Sequence, residues 1–164
     1  GGTPGTFRGI AYTNSSWVVA YSRSSKIKFR TCAASDITDW GTEHEPSSDM
    51  ADPGSTVGLR KVCMAAASGR VAAITTADDL VTYFDVSGKT ISNASQHQMS
   101  MGGDTANDIC TDGSTWLLAC EDGDVWESTD SAESWARIVN ALEFADNHTS
   151  DDFEGVTCDV FLPL

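Results

Sequence analysis

Ser128-Thr129-Asp130-Ser131-Ala132-Glu133-Ser134-Trp135, "STDSAESW", decides how this chain is read. It links two short apolar runs, "VWES" at 125–128 and "WARIV" at 135–139. Upstream, Ile109-Cys110-Thr111 reads as a strand, Asp112-Gly113-Ser114 as a turn, and Trp116 to Cys120 as a second strand. Asp122-Gly123 is a two-residue hairpin signal that leads into a third strand, Val125 to Ser128. Trp135 opens a fourth. Four strands joined in sequence order by short turns make an antiparallel meander.

The rest of the chain is written the same way. Helical 3.6-residue stripes are missing, and short apolar runs bounded by Gly, Ser, Thr and Asp dominate, which is the strand signature. They are "GIAY" (9–12), "WVVAY" (17–21), "IKFRTCA" (27–33), "VCMAAA" (62–67), "RVAAITT" (70–76) and "LVTYF" (80–84). Ile10 precedes Trp17 by seven residues, as Ile109 precedes Trp116. Thr76-x-Asp78 and Thr82-Tyr83 can be laid on Ser128-x-Asp130 and Ser134-Trp135, with the acid five residues before the aromatic in both; Asp36 precedes Trp40 by four. First strands beginning near Ile10, Val57, Ile109 and Val156 are spaced by 47, 52 and 47. A repeat of that length with four short strands is the mark of a propeller blade. The expectation is therefore an all-β fold of antiparallel four-stranded meanders, one domain over 1–164. Its repeats fall near 7–52, 53–104 and 105–150, and a fourth starts at 151–164. The polar stretches 42–56, 85–106 and 140–155 are read as exposed links.

Composition narrows the function. Twenty-four Asp and Glu against ten Lys and Arg give a net charge of −14. That disfavours nucleic acid and anionic membrane surfaces, which bind through excess Lys and Arg. No apolar run approaches the ~20 residues of a membrane span, so no membrane insertion is expected. No secretory signal is visible. The five Cys are scattered without a C-x-x-C pair, and the odd count argues against a closed disulfide set. Most are read as small buried hydrophobes of a reducing cytoplasm. The three His, at 44, 97 and 148, fall in the polar links without ligand-like spacing, and Asp104, Asp108 and Asp112 lack the calcium-loop pattern. No metal or cofactor is expected. Adjacent acids such as Asp78-Asp79 and Asp151-Asp152 follow from the acid content and identify no catalytic pair.

Ser128, Asp130, Ser134 and Trp135 resemble the Ser/Thr-x-Asp-x-Gly-x-Ser/Thr-Trp box of the sialidase-like, BNR-repeat propellers. Thr76, Asp78, Thr82 and Tyr83 resemble it less closely, and Asp36 with Trp40 marks a worn copy. Ala132 and Leu80 stand where the box has Gly. The resemblance implies a turn between the third and fourth strands of a blade, on the face away from that family's active site. Asp closing a turn through backbone N–H groups, with an aromatic wedged between sheets, fits independently. The family's hydrolases need three convergent Arg, a Tyr nucleophile with a Glu partner and an acid/base Asp. Phe7-Arg8-Gly9-Ile10 echoes the start of their first blade without its Pro, and no second or third Arg stands in a comparable place. No catalytic residue is assigned, and Arg8 is read as a solvated edge residue.

Three blades and one extra strand do not close a propeller of four to eight blades. The chain could be a fragment, copies could associate, or strand 156–162 could pair with the first blade or with a partner. Association is favoured, because Val156, Val160, Phe161 and Leu162 form an apolar strand costly to leave in water. The function expected is a non-enzymatic module for assembly with protein neighbours or copies of itself. Its repeats are similar to those of tailed-phage virion proteins, which implies a virion component. A carbohydrate-binding module and a sialidase-like hydrolase are the alternatives.

Overall fold

The computed structural model describes residues 5–46, 62–75, 79–102, 106–120 and 123–140. It is all-β among these residues, with three antiparallel sheets in chain order. The first holds β1 (Thr6–Thr13), β2 (Ser16–Arg23) and β3 (Lys26–Ala33). The second holds β4 (Val62–Ala67), β5 (Arg70–Thr75), β6 (Leu80–Ser87) and β7 (Thr90–Gln98). The third holds β8 (Ala106–Thr111), β9 (Trp116–Cys120), β10 (Asp124–Ser128) and β11 (Ala136–Asn140). Each is a simple meander in which neighbours in sequence pair. The first sheet gains a rudimentary fourth strand where Phe29 and His44 exchange backbone hydrogen bonds of 3.0 and 2.9 Å.

The turns explain why the strands fold back so tightly. Asn14-Ser15, Ser24-Ser25 and Ser68-Gly69 each join two strands with both residues at positive φ. That backbone matches the right-handed twist of a hairpin.

The sheets stack face to face as propeller-like blades, with β1 beside β4 and β4 beside β8. Two cores lie between them. Val18, Ala20, Ile27 and Phe29 of the first sheet meet Val71, Ala73, Phe84 and Val86 of the second. The Phe29 and Phe84 rings are tilted at 60° with centroids 5.0 Å apart. Ala72, Ile74, Val81, Met99 and Met101 of the second meet Ile109, Trp116, Leu118, Trp126 and Trp135 of the third. The middle strand β5 is buried on both faces, which is why it reads as an unbroken apolar run rather than an alternating one.

Two sequence expectations are corrected, the link at 85–106 and the placing of two histidines in links. Residues 85–106, read as a link, contain β7. This outermost strand is almost wholly exposed, so its sequence, "TISNASQHQ", carries no apolar signal. The first described strand of the second sheet is β4, at Val62; the strand expected near Val57 lies outside the described residues. The reading of most cysteines as buried thiols holds for Cys32 and Cys120, whereas Cys110 is disulfide-bonded. Burial pushes the Cys32 thiol pKa up. His44 and His97 are not in links either: His97 lies on β7, and the His44 ring stands 5.9 Å from that of Phe84.

Small polar residues join the first two sheets. The Gly69 amide donates to Thr13 Oγ1 at 2.8 Å and the Gly88 amide to Ser16 Oγ at 3.0 Å. Thr31 Oγ1 lies 3.0 Å from the Gly88 carbonyl oxygen, and Thr13, Ser16 and Thr31 are all buried. A Cβ on Gly41 would stand 2.0 Å from the Lys89 carbonyl oxygen, so only glycine lets the two backbones approach there. Lys89 also pairs with Asp39 across the same junction.

Candidate functional site

Two features compete as the functional site: the turn Ser128–Trp135 and the outer face of the first sheet. The turn is closed by its own side chains. Asp130 Oδ1 accepts from Ser128 Oγ at 2.7 Å and from the Ser134 amide at 2.9 Å, and Oδ2 accepts from Ser134 Oγ. Ser128 Oγ in turn accepts from the Ala132 amide at 3.0 Å. Burial pushes the Asp130 carboxyl up, but the Ser134 hydroxyl and amide and the Ser128 hydroxyl outweigh it and hold the pKa below the usual range. Ser131 and Ala132 are at φ +65° and +67°, the conformation that suits Gly at Ala132's place. Trp135 is 8 % exposed, lies in the core between the second and third sheets, and donates through Nε1 to the Ala132 carbonyl at 3.2 Å. Arg70 of the second sheet reaches this turn, donating to the Ser131 carbonyl at 3.3 Å. Its Nε donates to Asp85 at 2.7 Å, and its guanidinium lies 5.3 Å from the centroid of the Tyr83 ring. Every polar group of the turn that these bonds involve is spent on holding its shape.

The other predicted boxes fall differently. Asp36 accepts from the Thr38 amide at 3.0 Å and hydroxyl at 2.7 Å, which hold its pKa down, and Trp40 follows, half-buried. This turn leads from β3 toward the rudimentary fourth strand. Thr76 and Asp78 lie outside the described residues. Thr82 and Tyr83 lie inside β6, the third strand of its sheet, and do not open an outer strand. The internal alignment is one strand out of step: the link between third and fourth strands in this sheet is the tight Gly88-Lys89 turn. Asp112 closes the β8–β9 turn by accepting from the Thr115 and Ser114 amides at 2.8 Å, which lower its pKa. Val156, Val160, Phe161 and Leu162 lie outside the described residues.

The first sheet's outer face is open. Phe7 is 75 % exposed, Ile10 62 %, Tyr12 50 % and Ile37 62 %. Cross-strand register places Phe7 opposite Tyr21, Ile10 opposite Val19 and Tyr12 opposite Trp17, so all share one face. The Tyr12 and Trp17 rings are 4.8 Å apart. Phe7, Ile10, Trp17, Val19, Ile37 and Trp40 line a shallow groove of about 670 Å³ on this face. Arg8, at a bulge in β1, is half-buried in its wall rather than solvated at an edge.

An adjoining hollow holds Tyr21, Arg23, Arg30 and Glu43. Tyr21 donates to Glu43, and Arg23 Nη1 lies 3.3 Å from the same carboxylate. Arg30 Nε is buried without a hydrogen-bond partner. Burial first, and the bond to Glu43 second, push the Tyr21 phenol up to about 12. Donation from Tyr21 lowers the Glu43 carboxyl, opposed by burial. A Tyr–Glu pair beside Arg is superficially that of a sialidase-like hydrolase, but this phenol is held protonated, the opposite of an activated nucleophile. The sequence signal for this face was the two-residue alternation of Trp17, Val19 and Tyr21, masked because the intervening residues are apolar too. Among the described residues no group of His, Cys, Asp and Glu could hold a metal ion, and no helix is long and apolar enough to cross a membrane.

No family model and no curated protein matches the chain. Solved structures do; among them is YCF48 from Cyanidioschyzon merolae, at a TM-score of 0.47 and 13 % identity over 80 % of this chain. The match covers 40 % of that structure's chain, so this chain spans less than half its length.

Proposed function

We propose that the chain is a non-enzymatic assembly module whose first sheet packs its open face against another copy of the chain. The observation that carries this is the row Phe7, Ile10, Tyr12 and Trp17 on a face that the stacking leaves bare. Charge favours a second copy as occupant. Residues 1–46 hold five of the ten Lys and Arg and four of the 24 Asp and Glu, leaving five cations against 20 acids in the rest. The open face with Arg8 and Arg23 at its margin thus lies in the least acidic part of the chain and suits the acidic body of a neighbour. A head-to-tail contact of this kind is heterologous and builds rings or filaments.

The setting we propose is a virion, on the acidic, repeated β-structure and the resemblance of Ser128–Trp135 to the box. The disulfide at Cys110 fits a particle that meets an oxidising medium after leaving a reducing cytoplasm. A second reading, a carbohydrate-binding module, rests on the ring pair Tyr12–Trp17 and on Trp40, which could stack on sugars. A glycan array without binding removes it.

Sedimentation across a concentration series tests the main reading. The expected result is association that Ile10→Glu abolishes, leaving a 17.4 kDa species with its unfolding midpoint little changed, as for most surface substitutions, ±0.5 kcal/mol or so. A wild-type chain that stays at 17.4 kDa at every concentration overturns it.

A further inference from the structure

The open face of the first sheet has two halves of different chemistry. Its apolar row lies on β1 and the start of β2; toward β3 the same face turns cationic. Val19 lies opposite Arg30, Tyr21 opposite Lys28 and Arg23 opposite Lys26, so these β3 cations share the face of Trp17 and Ile10. The pairing of His44 with Phe29 turns Glu43 and Glu45 to the same side. Glu45 is taken up by Lys28 and lies 3.8 Å from Lys26. On the strands of this face four cations thus stand against two carboxylates, in a chain of net charge −14.

The surplus gathers in the hollow of about 300 Å³ beside the groove. Arg23 and Arg30 line it, and Glu43 is its one acid among the described residues. That carboxylate is already engaged, accepting from Tyr21 and pairing with Arg23. Arg30 stands close enough for its charge to act on both Tyr21 and Glu43, yet its Nε is buried with no hydrogen-bond partner. A buried guanidinium donor left unpaired is costly. Phe7, Val19 and Trp40 form the rest of the wall and also line the groove, so hollow and groove are continuous. Two guanidinium groups, one carboxylate and an apolar wall leave charge for one further anion. The planar fork of Arg matches a carboxylate, and the wall suits an apolar stem.

We propose that this hollow binds a carboxylate carried on a short apolar stem, its head against Arg30 and Arg23 and its stem against Trp40 and Phe7. The site goes beyond the association reading and does not depend on it. An Asp or Glu side chain of a neighbouring copy and a free small acid present the same head to the same groups.

Calorimetric titration of the full chain with phenylacetate, and with phenethyl alcohol as a comparable stem without the charge, tests this. The acid should bind about tenfold or more tightly than the alcohol, as a charge-assisted hydrogen bond implies. Arg30→Gln should remove that difference and leave the alcohol's affinity unchanged. Glu43→Gln keeps an acceptor for Tyr21 and removes the competing charge, so it should widen the difference. Sedimentation with and without phenylacetate separates the two sources. An acid that weakens association marks a neighbour's side chain as the occupant, and an acid that binds without moving the oligomeric state marks a free ligand. A chain that never associates yet binds the acid through Arg30 overturns the assembly reading alone. Equal affinity for acid and alcohol in the wild type, or none for either, overturns the present proposal, as does an acid preference that survives Arg30→Gln.

Discussion

The first and second sheets turn matching faces in the same direction. On the second sheet that face carries Val71, Ala73 and Phe84, all 0 % exposed against the first sheet. On the first it carries Phe7, Ile10 and Tyr12, all at least half exposed. The difference is not polarity, for both faces are apolar. It is the presence of a neighbour. An apolar face is thus evidence of a stacking surface, and only the arrangement of sheets says which such face is already used.

The comparison breaks most severely at the covered junctions. Trp135→Ala empties a wedge between the second and third sheets and should cost about 3–5 kcal/mol, read from denaturant unfolding. Ile10→Glu on the open face is its counterpart and should leave the same curve nearly unmoved. Gly41→Ala attacks the first junction by backbone crowding against Lys89. It should cost about 1–3 kcal/mol, and a Tm equal to wild type would show that the two backbones are free to part.

Asp130→Ala sharpens the contrast from the turn side, with an expected loss of about 1 kcal/mol because the carboxylate is exposed and screened. Its pKa is depressed in the folded chain, so its contribution is present above the unfolded value of 3.8 and lost as pH falls through the folded one. The gap between wild type and Asp130→Ala in urea should therefore shrink from pH 7 toward pH 2; a constant gap would mean the hydroxyl bonds do not depend on the carboxylate's charge.

Ten of the eleven strands among the described residues were legible in the sequence, because most of their apolar runs follow from burial between sheets. β7 was not, since an outermost strand buries almost nothing and keeps its place through backbone pairing with β6. The box turn was legible at Ser128–Trp135, where Asp and hydroxyl spacing encode local bonds. The same pattern misled at Thr82-Tyr83, because five residues from an acid to an aromatic also occur across a loop and into the middle of a strand.

By itself the sequence determined the class of fold: short apolar runs, two-residue turns and a turn-closing Asp specify antiparallel meanders, since each signal acts over a few residues. The order in which sheets stack was decided only by the tertiary structure. So were the polar joints of Thr13, Ser16 and Thr31, the approach of Gly41 to Lys89, and the bareness of one apolar face among several. These depend on residues tens of positions apart meeting across a junction, and no local propensity records them.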